Sequence, residues 1–258
     1  MKISDIRNQT SLSLEGNLFK AILMTLFYTI INLLTQFLLE KLSGLLTNSN
    51  TLFIIVQILI NTALLPFSYG LVVSLIEISK NKKISLTNFI NVGLLNYTKI
   101  ISLFFRVFLK IIGYVAIFLL ALILSVMNFN NAALNTLIIL LLIIGIIVLI
   151  IKALDFVFIL FVNYEHPKKS IKEIIKESKS LIKKNKIKYV LLILSYILWF
   201  IIFGLLGNIL KYFIDQTLSL YITNLCFALI TPSITISEYI FFDYLVNLKS
   251  KKKEEKTI

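Results

Sequence analysis

Six long stretches of the chain are apolar with few interruptions: about 18–39, 52–78, 100–127, 137–162, 189–210 and 220–246. A bilayer-spanning helix needs about 20 such residues. Hydrocarbon admits only helices or closed barrels, because every backbone polar group must be satisfied internally. The runs are unbroken rather than alternating, which excludes barrel strands. The pattern predicts an all-α polytopic helix bundle, with six transmembrane helices in a single membrane domain covering residues 1–258. The first run is too long for a signal-peptide core and no small-x-small site follows before Glu40, so it is expected to stay as the first span. Pro66 and Pro232 are expected to kink the second and sixth spans.

The segments between the runs are polar and basic. Ser170-Ile171-Lys172-Glu173 is a capping box, in which the Ser oxygen accepts an amide of the first turn and the Glu reaches back. Beyond it, Ile171, Ile174, Ile175, Leu181 and Ile182 share one helical face, and Lys172, Lys176, Lys179 and Lys183 lie elsewhere. An amphipathic helix over about 170–186 is therefore predicted, resting in the headgroup layer with its apolar face in the membrane. The loop after the second span offers a similar amphipathic stretch, so spans two and three echo spans four and five as a parallel repeat.

Composition strengthens the membrane assignment. The chain is 58% hydrophobic and 15% charged, with a mean hydropathy of +0.92, against about 45–50% and 25% in average soluble domains. Net charge is +13. With six spans both termini share one side, and 21 of the 26 Lys and Arg fall on it, whereas only Lys41 and Lys211 face the other. Lys and Arg are retained in the cytoplasm, so the expected topology is a bacterial inner-membrane protein with both termini inside. Nine of the 21 lie between Lys168 and Lys188, where each contributes about 1 kcal/mol of attraction to anionic lipid.

Charges inside the spans are the remaining candidates. Arg106 and Lys110 stand at i, i+4 in the cytoplasmic half of span three. Lys152 and Asp155 stand at i, i+3 in span four, with Lys152 roughly 15 Å deep, and Glu238 lies roughly 12 Å deep in span six. Charges at such depth are costly and default to paired or functional roles, so Lys152 with Asp155 or Glu238 is expected to form a buried ion network. A polar stripe in span one (Thr25, Thr29, Asn32, Gln36) and Gln57 with Asn61 in span two are read as helix-packing hydrogen bonds.

No P-loop, H-E-x-x-H or G-x-S-x-G is present. The single His (His166) and single Cys (Cys226) exclude a disulfide framework and an all-protein Cys/His metal centre. No catalytic, cofactor or metal residue is expected, and no nucleic-acid partner.

The residues also resemble a family. Leu14-Glu15-Gly16-Asn17-Leu18-Phe19-Lys20-Ala21 is similar to the L-x-G-N-W-x-K-A start of a bacterial integral-membrane family, domain of unknown function 975. Pro66-Phe67-Ser68-Tyr69-Gly70 resembles its P-L-x-Y-G motif. Ile150-Ile151-Lys152-Ala153-Leu154 resembles the end of P-G-I-I-K-A-L, and Ile175-Lys176-Glu177-Ser178 its A-I-K-E-S loop helix. Leu18 stands in place of the family's Trp, and Val148-Leu149 in place of its Pro-Gly. The family looks distantly akin to the membrane domains of some glycerophosphodiester phosphodiesterases, which implies a link to envelope lipids but no activity. The expected function is non-enzymatic: binding of anionic lipid, or of a membrane partner or second copy, through the basic helix. The rival is a small permease or export/immunity factor built on Lys152, Asp155 and Glu238.

Overall fold

The structure is a computed structural model that describes residues 2–45, 50–82, 85–126 and 132–254. Lys83 and Lys256 of the charge count, and Met127 at the expected end of span three, lie outside the described residues. The chain falls into two compact units, residues 1–101 with 187–258, and residues 102–186.

The first unit holds α1 (Ile3–Leu14), α2 (Leu18–Leu45), α3 (Asn50–Ser79), α4 (Leu86–Leu95) and the first residues of α5 (Tyr97–Val126). It is completed by α9 (Lys186–Leu194) from Ile187 onward, Lys186 itself belonging to the second unit, and by α10 (Ile197–Leu210) and α11 (Gln216–Glu254). Its core is Leu14, Ala21, Met24, Leu71, Leu75, Ile78, Phe89 and Ile236. Phe89 of α4 is fully buried, and Phe27, Tyr28 and Phe67 ring it.

Two of the family-like motifs have a structural explanation in this unit. Gly16 sits at φ +72°, the left-handed conformation that closes a helix without a Cβ penalty, and turns α1 into α2. The neighbouring Asn17 donates from Nδ2 to Asn81 Oδ1 at 2.6 Å. Asn81 itself lies at φ 57°, so the motif's Asn anchors the turn after α3. In the P-L-x-Y-G-like segment, a Cβ at Gly70 would stand 2.3 Å from the Phe89 carbonyl oxygen, and one at Gly93 2.9 Å from that of Pro66. Helices α3 and α4 thus touch backbone to backbone. Both α3 and α11 run without a break through Pro66 and Pro232.

Helix α1 has no counterpart among the expected elements. Ile6, Thr10 and Leu14 repeat at one-turn spacing and are buried, and the helix packs on α11. The Thr10 hydroxyl donates to the Ile6 carbonyl and meets Ser237 Oγ of α11 at 2.7 Å. A hydroxyl at the middle contact position hid the face from a purely apolar pattern.

The second unit comprises the rest of α5, α6 (Ala132–Ala153), a 3-10 turn (Leu154–Phe156), α7 (Ile159–Glu165) and α8 (Ile171–Ile182). Helices α5 and α6 expose apolar side chains along most of their length, Ile117, Leu120, Ile123, Ile139, Ile144 and Ile147 among them. Such a surface is incompatible with water and fits a lipid solvent.

Five stretches are long and apolar enough to cross a membrane: Leu18–Leu42, Thr51–Ser79, Tyr97–Ser125, Leu134–Glu165 and Gln216–Ser250. The pair α9 and α10, bent by 45° at its break, makes a sixth when counted as one span. This is an all-α polytopic membrane protein. Two expected spans differ from simple rods: the fourth contains the 3-10 turn, and the fifth is broken at Ser195 and Tyr196.

Helix α8 corrects a second expectation. It starts at the capping box, with Ser170 Oγ accepting from the Glu173 amide and Glu173 from the Ser170 amide, but ends at Ile182, short of residue 186. Its apolar face is not free for the bilayer. Ile174 and Ile182 are fully buried, Ile175 and Leu181 nearly so, and the helix packs against the 3-10 turn and α7. Ser178 Oγ donates to the Asp155 carbonyl at 3.0 Å and accepts from the Phe158 amide at 3.3 Å. Those two backbone groups flank the turn where the helical ladder is interrupted. Asn163, expected to open the aqueous loop, is wholly buried in α7.

Candidate functional site

The second unit contains a cleft of about 970 Å3 between α5 and α8. Arg106 and Lys110 reach it from α5, and Lys172, Lys176 and Lys179 from α8. Phe105, Leu109, Ile171 and Ile175 line it as well. Two groups of candidates that the sequence offered separately, the span-three charges and the basic-helix lysines, therefore meet in one place. Of the four basic-segment lysines singled out in the sequence, Lys183, just past the end of α8, alone does not line the cleft.

The local physics explains how the cations come to be displayed. Arg106 and Lys110 are one turn apart, as are Lys172 and Lys176, so each pair shares a face of its helix. Burial of the α8 apolar face leaves its lysines no choice but to project outward. The nearby carboxylates are engaged elsewhere. Glu173 accepts from the Ser170 amide and hydroxyl, both at 2.8 Å. The backbone bond comes first among the causes that hold its carboxyl below the usual range, followed by the hydroxyl bond. Glu177 is taken by Lys169 Nζ at 2.6 Å and His166 Nε2 at 3.7 Å. Asp155 is buried and binds Lys186 Nζ at 2.5 Å, with Lys179 Nζ at 3.9 Å. Among the described residues no carboxylate lines the cleft, and of its cations Lys179 alone has an acidic partner.

The expected ion network is not the one observed. Asp155 pairs with Lys186 and Lys179 rather than Lys152. Lys186 also donates to the Ile151 carbonyl at 2.6 Å, capping the last turn of α6, where unsatisfied carbonyls favour a cation. Lys152 instead places Nζ 5.1 Å from the centre of the Tyr114 ring, a cation–π contact. The 3-10 turn accounts for the change: it re-aims Asp155 away from the helical i, i+3 register that would have faced it to Lys152. Glu238, in the first unit, accepts a hydrogen bond from the Tyr189 hydroxyl.

The first unit carries a further polar cluster. Arg7 stacks 5.3 Å from the Tyr196 ring centre and donates to the Ser195 carbonyl at 3.4 Å. Tyr196 Oη meets Ser237 Oγ at 2.6 Å, and Ser237 continues to Thr10. This chain of hydroxyls ties α1, the break between α9 and α10, and α11 together. Two residues of the polar stripe of α2 bond to their own helix: Thr25 donates to the Ala21 carbonyl and Asn32 to that of Tyr28. Gln57 and Asn61 are exposed. Among the described residues no group of three or more His, Cys, Asp or Glu side chains is arranged to hold a metal ion.

No curated protein and no solved structure matches the chain. A family model described as "Protein of unknown function (DUF975)" matches residues 1–251, nearly the whole sequence. The turn at Gly16, the α3–α4 contact at Gly70, Lys152 at the end of α6 and the α8 helix are thus features of a chain that belongs to the DUF975 family.

Proposed function

We propose that this DUF975 protein is a non-enzymatic bacterial inner-membrane protein that engages anionic lipid on the cytoplasmic side, in a role tied to the upkeep of envelope lipids. One observation carries the reading: cations from two different helices converge on a cleft that no carboxylate lines. Glu177 and Asp155 are paired with His166, Lys169, Lys186 and Lys179, whereas Arg106, Lys110, Lys172 and Lys176 have no acidic partner among the described residues. Uncompensated positive charge beside a membrane surface is drawn to anionic headgroups and falls off within a Debye length. The positive-inside bias supports the same side for α8 and for both termini. The mechanism differs from that of a floating amphipathic helix, because the apolar face of α8 is used inside the protein and only its charges remain for lipid.

The test uses the full chain in a neutral detergent. Addition of phosphatidylglycerol should raise its unfolding temperature more than an equal amount of phosphatidylcholine, since a ligand of the folded state stabilises it. The difference should vanish near 1 M salt, where screening acts within about 3 Å. Equal shifts with both lipids would overturn the reading.

A further inference from the structure

We propose that the α5–α8 cleft is a binding site for one lipid that carries two phosphates, of the cardiolipin type, rather than a diffuse contact with any anionic headgroup. The inference rests on the anionic-lipid reading above and adds the class of ligand.

Charge supply is the first argument. Arg106, Lys110, Lys172 and Lys176 have no acidic partner among the described residues, and Lys179 contributes part of its charge beside Asp155. A lipid with one phosphate would leave most of this uncompensated. A doubly anionic headgroup matches the arrangement, which is two pairs, one on each helix. Within each pair the residues are four apart, or about 6 Å along the helix axis, so each row can hold one phosphate. Arg106 adds a planar fork suited to two parallel bonds with phosphate oxygens.

The lining supplies the second argument. Phe105, Leu109 and Ile175 line the cleft together with the charges, which disfavours a fully hydrated anion and suits a headgroup that carries glycerol carbons beside its phosphates. Two turns beyond Lys110 and on the same face of α5, Ile117 is an exposed apolar side chain. Acyl chains leaving the cleft along that face would meet apolar rather than charged surface. The cleft volume, about 970 Å3, is at the upper end of the range for small-molecule sites, about 300–1,000 Å3.

Rigidity is the third. The α8 row is fixed by the buried Ile174, Ser178 and Ile182, so its spacing from residue to residue is set before a ligand arrives, as a site that counts phosphates requires.

The experiment is native mass spectrometry of the full chain released from mixed micelles with cardiolipin, phosphatidylglycerol and phosphatidylcholine at matched phosphate. One cardiolipin per chain should be retained, at least about tenfold in preference to phosphatidylglycerol, a difference of 1.4 kcal/mol. The combined variant R106Q/K110Q/K172Q/K176Q should lose that preference, whereas K183Q/K184Q, exposed lysines outside the cleft, should keep it. The charge-preserving K172R/K176R should also keep it. If the combined variant does not fold, K172Q/K176Q alone should lower retention at least threefold, and unchanged retention would refute the site. Equal retention of cardiolipin and phosphatidylglycerol, both above phosphatidylcholine, would overturn this inference while sparing the proposed function. No preference for either anionic lipid would sink both.

Discussion

Lys186 places its ammonium 2.5 Å from the Asp155 carboxylate and, with the same nitrogen, caps the Ile151 carbonyl. One side chain at the start of α9 thereby closes the end of α6 and neutralises a buried acid at the 3-10 turn. Removing one member of such a pair leaves a charge buried without compensation, at a cost of about 3–5 kcal/mol for a fully buried pair. Asp155 is 9% exposed at its side chain and Lys186 21%, so about 2–3 kcal/mol is expected for Lys186→Met. Asp155→Asn combined with Lys186→Met should recover part of it. Thermal unfolding in detergent measures both, and a single variant as stable as the parent would refute the pairing.

The backbone contact between α3 and α4 makes a sharper claim. Gly70→Ala would set a methyl 2.3 Å from the Phe89 carbonyl oxygen, which belongs to a backbone that cannot swing aside. Overpacking of this kind costs typically about 1–3 kcal/mol, and Gly93→Ala should act in the same direction. Gly113→Ala and Gly204→Ala add methyls with no neighbour within 4 Å. They should be neutral or stabilising by about 0.5–1 kcal/mol, as Gly weakens a helix interior. Similar behaviour of all four variants would show that α3 and α4 do not touch.

Acid should loosen the start of α8. The carboxyl of Glu173 is held below its ordinary range by the Ser170 amide and hydroxyl. A group whose folded pKa is depressed stabilises fully above its unfolded pKa and loses that contribution as pH falls through the folded one. Amide exchange at Ser170 and over Ile171–Ile174 should therefore accelerate, relative to the intrinsic rate, once pH drops beneath the usual Glu range. Glu173→Gln should flatten this dependence. A parent protein with no change in protection over that range would disprove the capping role.

Topology is open to thiol labelling, provided the positions are chosen on the structure. A cysteine at Ser178 would be uninformative, since Ser178 is fully buried and would resist reagent from either side. Lys183→Cys in a Cys226→Ala background lies on the exposed side of α8. Tyr212→Cys lies after α10, at a residue 87% exposed. An impermeant maleimide on intact cells should mark position 212 and spare 183 until the membrane is opened. Labelling of 183 from outside would reverse the orientation and remove the case for cytoplasmic lipid binding.

The long apolar runs made the spanning helices legible, because hydrocarbon demands them wherever enough apolar residues follow one another. Their interruptions were not. Nothing in Ala153-Leu154-Asp155-Phe156 resembles a helix breaker, and the 3-10 turn there depends on Ser178, which comes 23 residues later and supplies bonds to the freed backbone. The cleft was half legible for a similar reason. Arg106 was visible as a charge inside a span and Lys172 as a candidate lipid contact, but their meeting depends on how α8 packs, and periodicity says which residues share a face without saying what that face touches. The amphipathic pattern of α8 was read correctly and its destination was not, since lipid and a protein core select the same apolar stripe.

The burial of that stripe also bears on how fast a lipid can be captured. A helix that folds only on contact must nucleate at the membrane, and nucleation is the slow, unfavourable step of helix formation. Here α8 is already ordered by Ile174, Ser178 and Ile182, so no ordering step precedes capture. If the proposed lipid site is right, occupancy would be governed by lateral encounter within the leaflet, and an α8 lysine row of this kind would report the local abundance of its lipid without the lag of a folding event.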